Sequence, residues 1–473
     1  MLLRHGVAYL LTRFGAGLIN FITILLYTRL LTVEEYGRYA LLIAGVGLVS
    51  GVSTVWLAEA ALRFTNPQCV FPELICAIRR LQVYVLLSLT GLTISALPLV
   101  RSAEWQLLVG VGIGLLWLQS IYDIRLHLLR ALLRPDVFAL VVALRAMATL
   151  VVGWGAVSLG LGAFGAAIGH LMGLAVAILF PVPSLKGAGS VSAELVHKIW
   201  RYGAPLSVSY LLAHILHTSD RFFIAFFCGE GAAGAYAAVY DMTAQTLALF
   251  LLSAANASTP LIFKAASENA DAKMRELLRE NLALLLTIGV IGVVMWWKVA
   301  PTLIARFIGL GYQENLALLA PIIAAATLIT DLRTHHFVIP LKIKQFTSAL
   351  VVDTFVAALG NILLNLWLIP RIGILGAAIA TLISYTVSLI IATTLARRKA
   401  FVVVSWRDVA CIFLCGVGTA SCLTTLPSTT AGQALLNGLL GGIMYAAGIL
   451  ALNIAGWRDR LWRFLTKLSS VVK

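Results

Sequence analysis

Charge is scarce in this chain. Asp, Glu, Lys and Arg together make up 12% of its 473 residues, and only 20 of these are acidic against 35 basic; soluble domains carry about 25%. That shortage excludes an ordinary water-soluble globule. No polar stretch is long enough to form an extramembrane domain that could house separate chemistry. The apolar-polar alternation of a membrane barrel is also missing. The six cysteines form no CxxC and have no paired histidines, so neither a disulfide framework nor a metal site is expected, and no cofactor. What remains is 60% apolar residues, a mean hydropathy of +0.96 and uncharged runs of roughly 20 residues, the length that spans a bilayer as a helix. The expected class is an all-α integral membrane protein, because in hydrocarbon every backbone polar group must be paired within the segment.

Hydropathy predicts about fourteen transmembrane helices, over residues 7–30, 38–62, 78–100, 104–124, 137–158, 161–182, 203–228, 234–260, 281–300, 315–338, 347–369, 373–395, 405–426 and 433–455. The basic start MLLRHG is followed by an apolar run that contains Arg13 and is too long for a signal core, so the first segment is expected to stay as a helix. With the N-terminus inside, 26 of the 35 Lys and Arg fall in inner segments and 6 in outer loops, while Arg13, Arg145 and Arg221 fall within helices. This alternation predicts an even helix number with both termini cytoplasmic. It accounts for the net charge of +15 through basic loops facing anionic lipid headgroups, with no nucleic-acid partner required. The charged stretch KAASENADAKMRELLREN (263–280) has the spacing of an amphipathic surface helix.

One apolar segment stands apart. YGAPLSVSYLLAHILHTSDRFFIAFFCG (202–229) carries Tyr210, His214, His217 and Arg221 on one helical face, with Asp220 beside it. Ionisable groups in a spanning helix are costly and mark a protein-lined path.

The chain also repeats itself. LGAFGAAIGHLMG (161–173) matches IGILGAAIATLIS (372–384), and in LLTVEEYGRYALL (30–42) and FFCGEGAAGAYAAV (226–239) Gly37 falls against Gly234, an offset of 197 residues. Two parallel six-helix lobes are therefore expected: 1–182 (helices 1–6) and 203–396 (helices 7–12). A cytoplasmic linker, 183–202, joins them, and 397–473 adds two C-terminal helices and a basic tail. In transporters built this way the site lies between the repeats.

Three stretches carry a family resemblance: RFGAGLINFITILLYTRLLTVEEYGRYALL (13–42), SDRFFIAFFCGEGAAGAYAAVYD (219–241) and NILLNLWLIPRIGILGAAIATLISY (361–385). They resemble the polysaccharide-transporter branch of the multidrug, oligosaccharidyl-lipid and polysaccharide exporter superfamily. The resemblance implies a two-lobed flippase of the bacterial inner membrane. By alternating access it would move polyprenyl-pyrophosphate-linked oligosaccharide units, such as O-antigen, exopolysaccharide or capsule units, to the outer leaflet. A polysaccharide polymerase and a chain-length regulator are its expected partners. A multidrug cation antiporter and a peptidoglycan-precursor flippase are the alternatives. A membrane-embedded polymerase or ligase is disfavoured, because the longest outer loop, near 300–314, offers only Arg306, Tyr312 and Glu314.

A lipid-linked sugar presents an anion and a glycan. Arg13, Arg145 and Arg221 are the expected anion ligands, since a guanidinium offers several donors to phosphate. Asn20, Tyr27, Trp56, Arg63, Tyr210, Gln245 and Asn256 supply the amides, hydroxyls, aromatic faces and charge expected at a glycan, and Glu59 is expected to pair with Arg63. His214, His217, Asp220 and Asp241 are candidates for proton or ion coupling. Gln119, Asp123, His127 and Arg130 read either as cavity lining or as a solvated helix end.

Overall fold

The computed structural model describes residues 2–65, 72–181, 191–307, 316–346, 348–428, 430–459 and 462. It is helical, and all fourteen expected helices are present. In chain order they are α1 (Leu2–Leu30), α2 (Val33–Ser53), α3 (Val55–Phe64), α4 (Pro72–Ala96), α5 (Ala103–Ala131), α6 (Pro135–Ser158), α7 (Gly162–Leu179) and α8 (Ala193–Cys228), then α9 (Glu230–Ser267), α10 (Asp271–Phe307), α11 (Leu316–Leu332), the short α12 (Ile339–Ile343), α13 (Ser348–Ile372), α14 (Ile374–Lys399), α15 (Trp406–Thr424) and α16 (Ala431–Ala451). Among the described residues, twelve helices are long and apolar enough to cross a membrane, and α11, at 17 residues, is shorter. The chain is an all-helical, multi-pass membrane protein.

Three departures from the hydropathy pattern have local causes. The expected helix 38–62 is broken at Thr54, whose φ of −130° leaves the helical region. Ser50 and Thr54 share a hydroxyl hydrogen bond of 3.0 Å, and Ser53 Oγ donates to the Val49 carbonyl at 2.6 Å. A cluster of hydroxyls competing for main-chain groups bends or breaks a helix. The expected surface helix 263–280 is instead two helix ends: α9 runs through to Ser267, α10 starts at Asp271, and Asn269 turns the chain at φ +55°. Finally, α8 starts ten residues before the predicted helix, with Ser192 capping the amide of Leu195 at 3.1 Å.

The chain packs as two compact units. Unit 1 comprises Met1–Ala238 and Ile362–Ile374, and unit 2 comprises Val239–Asn361 and Leu375–Lys473. The core of unit 1 is built from α2, α5, α6 and α7, with Leu42, Leu115, Tyr122, Val141, Ala167 and Leu174 buried together. Glycine sets its tightest contact. A Cβ added at Gly169 on α7 would lie 2.7 Å from the Gly153 nitrogen of α6, and one at Gly173 would lie 2.8 Å from the Arg145 carbonyl. The two backbones therefore touch along this seam, as small residues allow between membrane helices. A turn with Gly160 at φ +82° and Gly162 at φ +52° makes the hairpin possible.

Also within unit 1, the starts of α2 and α9 cross reciprocally. A Cβ on Gly37 would meet the Glu230 carbonyl group, and a Cβ on Gly234 would meet Val33 and Gly37. Val33 and Glu230 stand 197 residues apart, as do Gly37 and Gly234. The crossing is tied down by Arg38, which is ion-paired with Glu104 and Glu230, and by the Trp105 indole N–H, which donates to Glu230 at 2.6 Å.

The core of unit 2 joins α9, α10, α11, α15 and α16 through Leu247, Leu251, Leu286, Ala324, Ile412 and Tyr445. After α11 a π-helical turn, Arg333–Phe337, leads to α12. Arg333 pairs there with the fully buried Asp353, which also accepts from Ser388 Oγ at 2.6 Å.

Candidate functional site

The Arg145 side chain enters a cavity of about 260 Å³ inside unit 1, lined by residues of α2, α3, α5, α6, α7 and α8. Its guanidinium lies 3.0 Å from His170 Nε2 and 4.7 Å from the centre of the Tyr122 ring. Arginine stacked on an aromatic face keeps its fork fixed and its remaining N–H groups free to donate. Among the described residues it forms no ion pair with a carboxylate. Asp123 shares the cavity and is held by Gln119 Nε2 at 2.8 Å. The third basic group is His214 of α8. Its ring lies along α2 where Gly47 and Gly51, four residues apart, leave room; a Cβ on Gly51 would be 3.1 Å from Nε2. Among the described residues, the cavity thus presents one arginine, two imidazoles and one carboxylate. Such a set has the donors to hold a small anion.

Beside it lies a second polar junction, where α3, α5 and α8 meet. The Glu59 carboxylate accepts from the Tyr210 hydroxyl at 2.8 Å and lies 3.4 Å from His127 Nε2. His127 in turn has Nδ1 2.8 Å from the Asp123 carbonyl. The expected Glu59 to Arg63 pair is thus replaced by partners on other helices, and Arg63 is exposed.

The remaining expected residues are dispersed. Tyr27 is buried, its hydroxyl donating to the Thr149 carbonyl at 3.4 Å and its ring packed edge-on to Tyr39. Trp56 is buried as well, with its indole N–H on the Ser53 carbonyl and its ring against Gly203 and Trp200. Both are packing residues here. Asn20 and His217 are exposed. Asp220 is buried, accepting from the Tyr236 hydroxyl at 2.6 Å and from the Arg221 amide at 2.8 Å, and Arg221 is buried beside it. The four-residue face of α8 therefore does not act as one surface, because its span from 210 to 221 is about 16 Å at 1.5 Å per residue and meets different neighbours at each level. Asp241, Gln245 and Asn256 lie on the unit 2 part of α9, with Gln245 and Asn256 exposed. The side chain of Arg13 lies outside the described residues.

The sequence named neither His170, which lines the cavity, nor Tyr122, whose buried ring lies under Arg145. The readable signal for His170 was a lone imidazole in a helix of Gly and Ala, GAAIGHLMG, that had to approach a neighbour closely. Its partner was the one arginine deep in the preceding helix.

The fold is similar to that of solved structures of the MOP superfamily. The inward closed structure of the lipid II flippase MurJ overlays with a TM-score of 0.76 at 15% identity, covering 96% of this chain and 100% of that one. An inward-facing multidrug resistance MATE family transporter gives 0.61 at 16% identity, over 83% and 98% of the two chains. A MOP superfamily transporter from Pyrococcus furiosus, described as having a binding pocket of reverse polarity, gives 0.57 at 17% identity, over 84% and 95%. A model of polysaccharide biosynthesis proteins matches residues 114–266, which include α6, α7 and α8. No curated protein sequence matches the chain. The resemblance read from the sequence is thereby borne out.

Proposed function

We propose that this protein is a flippase that carries polyprenyl-pyrophosphate-linked oligosaccharide units from the inner to the outer leaflet of the bacterial inner membrane. The observation that carries the reading is the Arg145 cavity. An anionic headgroup needs a cation that is pre-aimed and not already spent on a carboxylate, and Arg145 over Tyr122 meets that requirement. At about 260 Å³ the cavity takes a phosphate-sized group and not a whole glycan. The sugar and prenyl chain must then extend beyond it. Net transport of an anion outward is favoured by an inside-negative potential, by about 2.3 kcal/mol per charge per 100 mV. In this reading His214 and His170 complete the anion site, Glu59, His127 and Tyr210 form a separate polar junction, and the lobes 1–182 and 203–396 alternate in access.

The polysaccharide biosynthesis model over 114–266 supports this reading over drug export. A second reading, transport of a peptidoglycan precursor, is favoured by the extent of the overlay with MurJ. Depletion separates the two: loss of surface polymer without lysis supports the first, lysis the second. The direct test is Arg145→Ala in a strain deleted for the native gene. Surface polysaccharide should disappear while the protein stays in the membrane at wild-type amount, and Arg145→Lys should restore part of it. Normal polymer from Arg145→Ala would remove the cavity from the mechanism.

A further inference from the structure

Unit 1 holds a second cavity, of about 340 Å³, between α4, α5 and the end of α7. It is larger than the Arg145 cavity and shares no residue with it. Its walls are apolar, with Ile75, Ile78, Ile121 and Leu128 among them, and its charged members are Arg79 and Arg125. Among the described residues, no carboxylate lines it. The neutral polar groups on its walls are already partnered: Gln82 donates to Ser120 Oγ at 2.9 Å and the Trp117 indole to Thr90 Oγ1 at 3.0 Å. Arg125 Nη1 donates to the Ile178 and Phe180 carbonyls at the end of α7; among the described residues, this leaves its other N–H groups and those of Arg79 for a ligand.

Depth and surroundings say what that ligand is. Arg79 is seven residues past the start of α4, and Arg125 six before the end of the antiparallel α5. Each is therefore about 10 Å inside its helix end at 1.5 Å per residue, and both line the same cavity. Next to them Arg80 lies 5.7 Å over the Tyr84 ring, the arrangement of an interfacial anchor. Further along α4, Leu87, Leu92 and Ile94 are exposed apolar side chains that only hydrocarbon would cover. The cavity thus sets two guanidinium groups, from facing helices, among apolar side chains. We infer that it is a structural binding site for an anionic phospholipid, whose headgroup phosphate is bound by Arg79 and Arg125 and whose acyl chain follows Ile78 and Ile121. The volume falls within the roughly 300–1,000 Å³ of small-ligand sites.

Binding of phosphatidylglycerol to the purified, delipidated full-length protein, followed by native mass spectrometry, tests this. Wild type should retain phosphatidylglycerol in preference to phosphatidylethanolamine, and millimolar inorganic phosphate should not displace it. Arg79→Gln should weaken retention about tenfold, the loss of one charge-assisted contact. Ile121→Trp, which fills the cavity and leaves the α7 cap of Arg125 in place, should do the same. Arg145→Ala should leave retention unchanged, so that failure here and failure of the proposed transport site are told apart. Equal retention by wild type and both cavity variants would overturn the assignment. So would equal binding of phosphatidylethanolamine, displacement by phosphate, or loss of lipid from Arg145→Ala.

Discussion

Gly169→Ala should damage this protein through one methyl group, and the damage can be worked out from the α6–α7 seam. The new Cβ would sit 2.7 Å from the Gly153 nitrogen, where ordinary contact begins at 3.4 Å. Backbone cannot swing aside as a side chain can, so the helices must separate by about 0.7 Å or more. Overpacking of this kind costs about 1–3 kcal/mol, set against a gain of up to about 1 kcal/mol from replacing glycine within a helix. The clash wins. The same separation would stretch the Arg145–His170 bond, now 3.0 Å, to about 3.7 Å, past the hydrogen-bond limit. Gly155→Ala on α6 is the matched control: its Cβ meets nothing within 4 Å, so it should be neutral or stabilised by up to about 1 kcal/mol. Unfolding in detergent, run beside a complementation assay for surface polysaccharide, reads both effects. Gly169→Ala should be less stable than wild type and defective in complementation, while Gly155→Ala should be neither. A Gly169→Ala protein as stable and active as Gly155→Ala would refute the close approach of α6 and α7, and with it the positioning of Arg145.

Three further outcomes follow from particular contacts. Tyr210→Phe removes the hydroxyl that donates to Glu59 at 2.8 Å and should cost about 1 kcal/mol of unfolding stability; Glu59→Gln, which can still accept that bond, should cost less. Asp353→Ala leaves the largely buried Arg333 guanidinium without its carboxylate and should cost about 3 kcal/mol, read as lost membrane yield and a lower melting temperature, whereas Asp353→Asn should fall between it and wild type. Gly37→Ala places a Cβ 2.8 Å from the Glu230 carbonyl carbon, so cysteine pairs across the α2–α9 crossing should form disulfides faster in wild type than in this variant.

The helices themselves were legible in the sequence because their cause is local. A run of roughly 20 apolar residues has to pair its backbone internally in a bilayer, whatever its neighbours do. Gly37 and Gly234 were legible too, as a repeat, since sequence similarity needs no coordinates. Arg145 could be singled out by its depth in α6, because a charge there needs a reason. Its neighbours could not be named. His170 is 25 residues away and reaches Arg145 only through the turn at Gly160 and Gly162 and the Gly153–Gly169 contact. The break at Thr54, set by three hydroxyls within five residues, redirected α3 so that Glu59 meets His127 and Tyr210 instead of Arg63. On α8 the spacing predicted one face for Tyr210, His214, His217 and Arg221, but a helical face says nothing of what lies opposite it at each level, and the four meet different surroundings. Which segments cross the membrane, and which carry a charge that must be accounted for, follow from transfer energy along the chain and so could be read from residues alone. Which charges share a cavity depends on how closely two backbones can approach, and that emerges only once the helices pack.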